Sequence, residues 1–293
     1  MRKDRRQSDN VDDRRASTGG SGNISMGTLM MLAPLFRNLL RTKLGWAIIA
    51  IGVLAYIGGY NPLALLGIGS PAQTKPVNEV RDEQAAQFMR TVLADTEDVW
   101  REILPKQRGI RYRDPVMVLY RGQTQSGCGY ASAQMGPFYC PTDKKVYLDL
   151  SFFDELAKRH NAPGDFAQAY VLAHEIGHYV QDLEGTLDKV QRYKQQVRSE
   201  TKANALQVRV ELQADCYSGV WAHHAQKRFN ILEPGDIEEA LRAAGSIGDD
   251  VLQKQTQGYV RPDAFMHGSA AQRVEWFSRG FRSGDMSQCN TFQ

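Results

Sequence analysis

The sequence predicts an α+β fold that is mostly helical, contains a small sheet and follows a single transmembrane helix. Apolar residues with helical spacing occupy most of residues 80 to 293, whereas two short segments alternate as strands do. No charged side chain occurs from Leu44 to Gly69. With 293 residues, the chain is long enough to bury a sizeable core.

Charge is divided unevenly along the chain. Residues 1 to 78 hold ten Lys and Arg against four Asp, a net charge of +6, whereas residues 79 to 293 carry a net charge of −3. The larger part therefore lacks the basic surface expected of a nucleic-acid-binding protein. The first 25 residues are almost free of apolar side chains. Because such a composition cannot bury enough surface to order itself, it predicts a disordered tail.

Residues 44 to 66 predict the transmembrane helix, because a bilayer requires roughly 20 apolar residues. A cleaved signal peptide and a buried core helix are the alternatives. Arg37, Arg41 and Lys43 precede the span, so the positive-inside rule keeps the N-terminus in the cytoplasm and exports the remainder. This predicts a single-pass membrane protein whose larger, C-terminal part lies on the far side of the membrane.

The predicted domain boundaries follow from these features. Residues 1–43 form a basic cytoplasmic tail, within which residues 26–36 could lie along the membrane face. Residues 44–66 cross the membrane, residues 67–79 form a linker, and residues 80–293 form the exported domain.

Four cysteines could form two disulfide bridges in an oxidising compartment. The simplest pairing is Cys128 with Cys140 and Cys216 with Cys289, although four cysteines permit three pairings. No Cys-x-x-Cys pair is present, so the cysteines do not predict a zinc site.

The exported domain is predicted to begin with a long helix and to contain two strands before its remaining helices. The predicted helices span residues 80–104, 151–160, 166–183, 187–229, 237–255 and 267–279, and the strands lie within 111–121 and at 145–150.

His174 and His178 lie four positions apart in the predicted helix 166–183. At that spacing both imidazoles leave the same face and can bind one ion. Glu175 follows the first histidine, and it can take a proton from a water molecule without being a ligand. The alternative is a pair of surface histidines with ordinary hydrogen bonds. The apolar flanks favour a buried helix and hence the metal site.

A catalytic zinc ion needs a third protein ligand, and a carboxylate from a second helix is a common one. Glu211 and Asp215 share a face of the predicted helix 187–229. Glu211 can reach the ion, and Asp215 can accept a hydrogen bond from the outer nitrogen of a ligating histidine. His223 and His224 are adjacent, point about 100° apart and lie too far along the helix to join this site.

His-Glu-Ile-Gly-His at 174–178 followed by Glu-Leu-Gln-Ala-Asp at 211–215 resembles the gluzincin pattern. Further stretches resemble the bacterial neutral zinc metallopeptidase family, and they lie at 135–140, 147–153, 214–216 and 267–273. The likeness extends over essentially the whole chain, including a membrane anchor. It implies a zincin-like (gluzincin) domain with endopeptidase activity, Zn²⁺ bound by His174, His178 and Glu211, and Glu175 as general base.

Two further hypotheses concern substrate. His267, alone or with Arg273, could donate a hydrogen bond to the oxyanion formed during hydrolysis, because a related histidine placement occurs in similar membrane-anchored gluzincins. A purely structural role is the alternative for His267. A peptide could also add to a strand edge at Phe138–Cys140 or Val146–Leu150, unless these strands form an ordinary core sheet.

The sequence therefore predicts a membrane-anchored zinc-dependent endopeptidase that acts on peptide or protein substrates. With the resemblance to a bacterial family, the predicted location is the inner membrane, with the catalytic domain in the periplasm. Two alternatives stay open. A zinc-stabilised, non-catalytic binding or adaptor protein would not need Glu175. A zinc amidase acting on cell-wall peptide would share all of the motif chemistry.

Overall fold

The computed structural model describes Met1 and residues 4–16, 79–132, 135–159 and 164–293. The helices of these residues are α1 (Glu79–Arg108), α2 (Leu150–Arg159), α3 (Asp165–Leu183), α4 (Thr186–Gln196), α5 (Glu200–Phe229), α6 (Asp236–Ser246), α7 (Asp249–Gln257) and α8 (Ala270–Ser283). Single 3₁₀ turns occur at Pro262–Ala264 and Met286–Cys289. The strands are β1 (Val11–Asp13), β2 (Val116–Tyr120), β3 (Gln123–Ser126), β4 (Gly129–Ser132), β5 (Phe138–Cys140) and β6 (Lys145–Asp149).

A four-stranded sheet has the order β1-β2-β6-β5. The first three strands run parallel, and β5 is antiparallel to β6, with Tyr139 opposite Val146. The strands β3 and β4 form a separate hairpin. Of the two predicted substrate edges, Val146–Leu150 is therefore ruled out, because β6 is paired on both sides, whereas β5 is an outer strand.

The predicted strands and most predicted helices are confirmed, with shifted boundaries. The predicted run 187–229 is two helices, because Val197 is extended and Ser199 caps the start of α5 by accepting a hydrogen bond from the N–H of Lys202. The predicted run 237–255 is likewise divided between α6 and α7 at Ile247 and Gly248. The apolar residues keep their helical spacing across both breaks, so periodicity alone did not reveal where one helix ends and the next begins.

The prediction of a disordered N-terminal tail is wrong for residues 4–15. This N-terminal segment contributes β1 to the sheet and packs along α1, in one compact unit with residues 78–293. Arg5 forms a bidentate pair with Asp95, and Ser8 donates a hydrogen bond to Glu97. Paired charges and main-chain hydrogen bonds order the segment despite its lack of apolar side chains.

The membrane prediction is also corrected. Among the described residues, no helix is both long and apolar enough to cross a bilayer, and the predicted span at 44–66 lies outside them. A single crossing would separate residues 1–43 from residues 80–293, yet residues 4–15 belong to the same compact unit as the helical domain. The single-pass transmembrane topology and the inner-membrane location derived from it are therefore withdrawn.

Helices α3, α5 and α8 pack closely at the centre of the domain. A side chain at Gly177 would place its Cβ 3.0 Å from the main-chain oxygen of Ala214, so this glycine allows α3 to approach α5. At the α5–α8 crossing, a Cβ on Gly219 would lie 2.1 Å from the oxygen of Phe277. Such short approaches bring polar side chains of all three helices into one buried cluster.

Both disulfides of the simplest predicted pairing are present. Cys128 in the β3–β4 turn is bonded to Cys140 on β5, and Cys216 on α5 is bonded to Cys289 at the C-terminal 3₁₀ turn. The first ties the hairpin to the outer strand. The second ties the end of the chain to the central helix.

Candidate metal centre

His174 and His178 of α3 meet Glu211 of α5 inside the domain. One potential ligand atom from each lies within 4.8 Å of the other two. The Nε2 atoms of His174 and His178 are 3.2 Å and 3.4 Å from the same oxygen, Oε2 of Glu211. Among the described residues, this is the one group of His, Cys, Asp or Glu found with such spacing. Two imidazoles and one carboxylate are a usual donor set for catalytic zinc.

The outer nitrogen of His174 is held by Asp215. Asp215 Oδ1 lies 2.9 Å from His174 Nδ1, and the same carboxylate accepts hydrogen bonds from Tyr170 and from the guanidinium of Arg273. Burial opposes ionisation of Asp215, but Arg273 and His174 outweigh it and hold its pKa at about 2. Because Asp215 is an anion, His174 Nδ1 carries the proton and Nε2 is left to face Glu211.

The outer nitrogen of His178 is held by an amide. Nδ1 of His178 lies 2.9 Å from Oε1 of Gln181, which is one turn further along α3. The amide nitrogen of Gln181 donates to the main-chain oxygen of Val210 and to Oε1 of Gln213. Gln213 in turn donates to the main-chain oxygen of Cys289. Each imidazole thus has its own buried partner.

Glu211 presents one oxygen to the imidazoles because its other oxygen is occupied. Gln207, one turn earlier on α5, donates from Nε2 to Glu211 Oε1 over 2.7 Å. Lys194 of α4 donates in turn to the oxygen of Gln207. The third candidate ligand is therefore oriented as firmly as the other two.

Electrostatics favour a positive charge between the three side chains. Burial lowers the pKa of His174, but Asp215 and Glu211 outweigh it and raise that pKa to about 10. Burial also opposes the charged form of His178, whose pKa Glu211 nevertheless raises. Burial alone would raise the pKa of Glu211, yet the histidines hold it well below its ordinary value. A divalent cation would replace the protons that this cluster attracts, so the donor set fits zinc.

Glu175 lies beside this cluster and near the outer strand of the sheet. Burial raises its pKa, whereas the two histidines and the nearby main chain of Tyr139 act in the opposite direction. Tyr139 belongs to β5, which pairs with β6. A carboxyl group with a raised pKa is a better proton acceptor near neutral pH than an ordinary glutamate.

The remaining predicted residues lie outside the candidate ligand set. His267 is half exposed, and its Nδ1 is 3.1 Å from Oδ1 of Asp249. The guanidinium of Arg273 is engaged by Asp215 and Tyr170, so Arg273 supports His174 and is unsuited to binding an oxyanion. His223 and His224 instead lie 2.8 Å from the main-chain oxygens of Phe281 and Gly284, in agreement with their exclusion.

Three polar side chains that hold the candidate ligands in place were not predicted from the sequence. Gln181 lies three positions after His178, and this helical spacing could have revealed it. Tyr170 lies four positions before His174 and carries the same signal. Gln213 could not be found in this way, because its partners come from α3 and from the C-terminal turn.

Comparisons with known proteins cover both the N-terminal segment and the metal centre. A family model described as "Putative neutral zinc metallopeptidase" matches residues 1–292. A protein of Escherichia coli (strain K12), "Uncharacterized protein YpfJ", is 50% identical over 294 residues, which is 98% of this chain and 97% of that protein. "Uncharacterized protein Rv2575" of Mycobacterium tuberculosis (strain H37Rv) is 46% identical over 204 residues, 66% of each chain. No solved structure gives a significant match.

Proposed function

This chain belongs to the family described as "Putative neutral zinc metallopeptidase", and from that premise we propose that it is a zinc-dependent endopeptidase. His174, His178 and Glu211 would hold the ion, and Glu175 would be the general base. The observation that carries the proposal is the convergence of these four side chains from two helices beside an outer strand, with His174, Glu175 and Glu211 buried and His178 partly buried. A site that only stabilised the fold would have no need for a buried carboxyl group next to the ligands.

When bound, zinc lowers the pKa of a water molecule toward about 7 and polarises a carbonyl oxygen. Glu175 then takes a proton from water as the water attacks the carbonyl carbon of a peptide bond. The same carboxyl group returns that proton to the leaving amine, so the base ends the cycle ionised. Its burial keeps its pKa raised and suits both transfers.

His267 is proposed as a hydrogen-bond donor to the carbonyl oxygen as negative charge develops there. Because Asp249 binds the Nδ1 side of the ring, Nε2 is directed away from that carboxylate. Asp249 also accepts hydrogen bonds from the N–H groups of Met266, His267 and Gly268, which fixes the loop before α8. A Cβ on Gly268 would lie 3.2 Å from Leu212 and 3.3 Å from Val208, so this loop lies close to the part of α5 that carries Glu211.

The substrate is proposed to be an extended peptide that pairs with β5. The outer strand has one partner among the described strands, β6, and Glu175 lies close to the main chain of Tyr139 on this strand. A peptide added there would bring successive main-chain carbonyls to the base by strand geometry. This arrangement favours an endopeptidase over an enzyme that recognises a chain terminus.

The decisive variant is Glu175→Gln in the purified full-length protein. The change removes the base but keeps side-chain volume, so we expect zinc content and thermal unfolding to match the native protein while hydrolysis falls by about 10²- to 10⁴-fold. Zinc is measured by metal analysis, and hydrolysis with denatured casein and a peptide library. Glu184→Gln is the control at the end of the same helix, and it should keep native activity.

Three outcomes would contradict the proposal. Native rates in Glu175→Gln would exclude this residue as the base. Stoichiometric zinc without cleavage of any peptide would indicate a non-catalytic binding protein. Cleavage confined to isolated cell-wall peptides would indicate the amidase.

A further inference from the structure

We propose that Gln181 and Gln213 are positioning residues that orient His178 for the metal, and that the C-terminal segment 286–292 sets the direction of their hydrogen bonds. The inference rests on the proposed metal site. It goes beyond that site because it gives His178 its own chain of hydrogen bonds, through Gln181 and Gln213 to Cys289, which we call the relay. The relay is separate from the Asp215 cluster that holds His174.

The direction of the relay begins at the main-chain carbonyl of Cys289, which can only accept a hydrogen bond. Gln213 must therefore turn its Nε2 toward this oxygen, at 3.1 Å, and its Oε1 toward Gln181. Gln181 then presents Nε2 to Gln213 at 2.9 Å and Oε1 to His178. His178 must donate from Nδ1, so the lone pair of Nε2 points at Glu211.

The reverse arrangement is excluded by a second acceptor. Nε2 of Gln181 also donates to the main-chain oxygen of Val210 at 2.8 Å, so both hydrogens of this amide are used. A flipped Gln181 would place its oxygen against two other acceptors. The amides of Gln181 and Gln213 are buried, so water cannot repair such a conflict.

Several contacts of the C-terminal segment hold the main-chain carbonyl of Cys289 in place. Cys289 is bonded to Cys216, one residue after Asp215 on α5. Thr291 donates to the main-chain oxygen of Arg209, and Arg108 donates to that of Met286. The segment is therefore fixed to the helix that carries Glu211.

Orientation matters for His178 because a ligating imidazole must place one nitrogen on the ion and a proton on the other. Partners of the outer nitrogen contribute about 10- to 100-fold to metal affinity in comparable sites. Without Gln181 the His178 ring could rotate or adopt the other tautomer, and Nε2 would no longer be directed at the position that Glu211 faces.

The test is the zinc affinity of the full-length protein, measured by competition with a fluorescent chelator. Gln181→Met preserves volume and removes the acceptor, so we expect zinc affinity to fall about 10- to 100-fold. Gln181→Glu restores an acceptor for His178 but leaves Val210 and Gln213 without a donor. It should keep affinity within a few-fold of native while lowering the unfolding temperature of the metal-free protein.

Gln213→Met should produce a smaller loss than Gln181→Met, on the order of three- to tenfold, because Val210 still holds one hydrogen of Gln181. Gln226→Met is the matched control. Gln226 lies on the same helix as Gln213, but its hydrogen bonds go to Asn230 and Leu232, which lie outside both the relay and the C-terminal segment. This variant should lower stability without changing zinc affinity.

Heteronuclear NMR of the zinc-loaded protein should show the proton of His178 on Nδ1. Native zinc affinity in Gln181→Met, or an equal loss in Gln226→Met, would overturn the relay while the metal site stands. Failure of the native protein to bind stoichiometric zinc would overturn the metal site and the relay together.

Discussion

At the scale of single residues, the candidate site depends on buried polar groups that satisfy one another. Asp215 shows this most clearly, because Arg273, Tyr170 and His174 all direct hydrogens at its two oxygens. A buried carboxylate is tolerated only when it is paired in this way. The same pairing engages the guanidinium of Arg273, so this residue is not available to bind a substrate. Arg273 instead orients Asp215, which holds His174.

The proposed role of His267 is tested at this scale. His267→Ala removes a donor to the developing oxyanion, so we expect kcat to fall about 10²- to 10³-fold with little change in zinc content. Steady-state kinetics and metal analysis check both quantities. His224→Ala is the control, because His224 contacts the main-chain oxygen of Gly284 and does not belong to the candidate ligand set. A native kcat in His267→Ala would assign His267 to loop structure alone.

At the scale of elements, the N-terminal segment is the main departure from expectation. Its arginines lie against the acidic face of α1, where Arg6 contacts both Glu97 and Asp98. Residues 4–15 hold four Arg and four Asp, a net charge of zero, so the net charges of +6 and −3 did not reveal this complementarity. Sequence composition described a tail unable to build a core, but the segment needs no core because α1 and β2 supply the partners.

Arg5 provides the test at this scale. Arg5→Met leaves the buried Asp95 without its bidentate partner, so we expect the free energy of unfolding to fall by about 3 kcal/mol. Arg192→Met, an exposed position on α4, should change it by less than about 0.5 kcal/mol. Chemical denaturation measures both. Equal stability of the two variants would show that the segment contributes little to the fold.

The same segment should make the stability of the folded protein depend on pH in the acid range. Hydrogen bonds from Arg15 lower the pKa of Asp13 and of Glu83 below their ordinary values. A carboxyl group with a lowered folded-state pKa contributes stability above its unfolded pKa of about 4, and that contribution is lost as the pH falls through the folded value. The hydrogen-exchange protection of residues 4–15, measured relative to the intrinsic exchange rate at each pH, should therefore fall below about pH 4.

At the scale of the whole molecule, the two disulfides have different consequences for the metal centre. Replacing Cys216 and Cys289 by alanine removes a bridge between residues 73 positions apart, and it should lower the free energy of unfolding by about 4 kcal/mol. It also frees the carbonyl that orients Gln213, so zinc affinity should fall about tenfold.

Replacing Cys128 and Cys140 is the matched control for this prediction. The separation is 12 residues, so we expect a loss of about 3 kcal/mol with native zinc affinity, because this bridge lies outside the relay. Chelator competition and chemical denaturation distinguish the two pairs. Equal zinc affinities in both double variants would contradict the link between the C-terminus and the metal.

The local order of the helical domain was predictable because it depends on neighbours in the chain. Helical spacing located α1 and α3, and alternation located β2 and β6. The i, i+4 spacing of His174 with His178, and of Glu211 with Asp215, placed each pair on one face of its helix. Such predictions need only the geometry of a helix or a strand.

The sequence by itself determined which residues have the chemistry for a metal centre and which helix faces carry them. Only the tertiary structure decided that the two faces meet, that Arg273 supports Asp215, that Gln213 extends the partners of His178 to the C-terminus, and that residues 4–15 complete the sheet. Those contacts join residues far apart in the chain, so they depend on how helices and strands pack, which local periodicity does not encode.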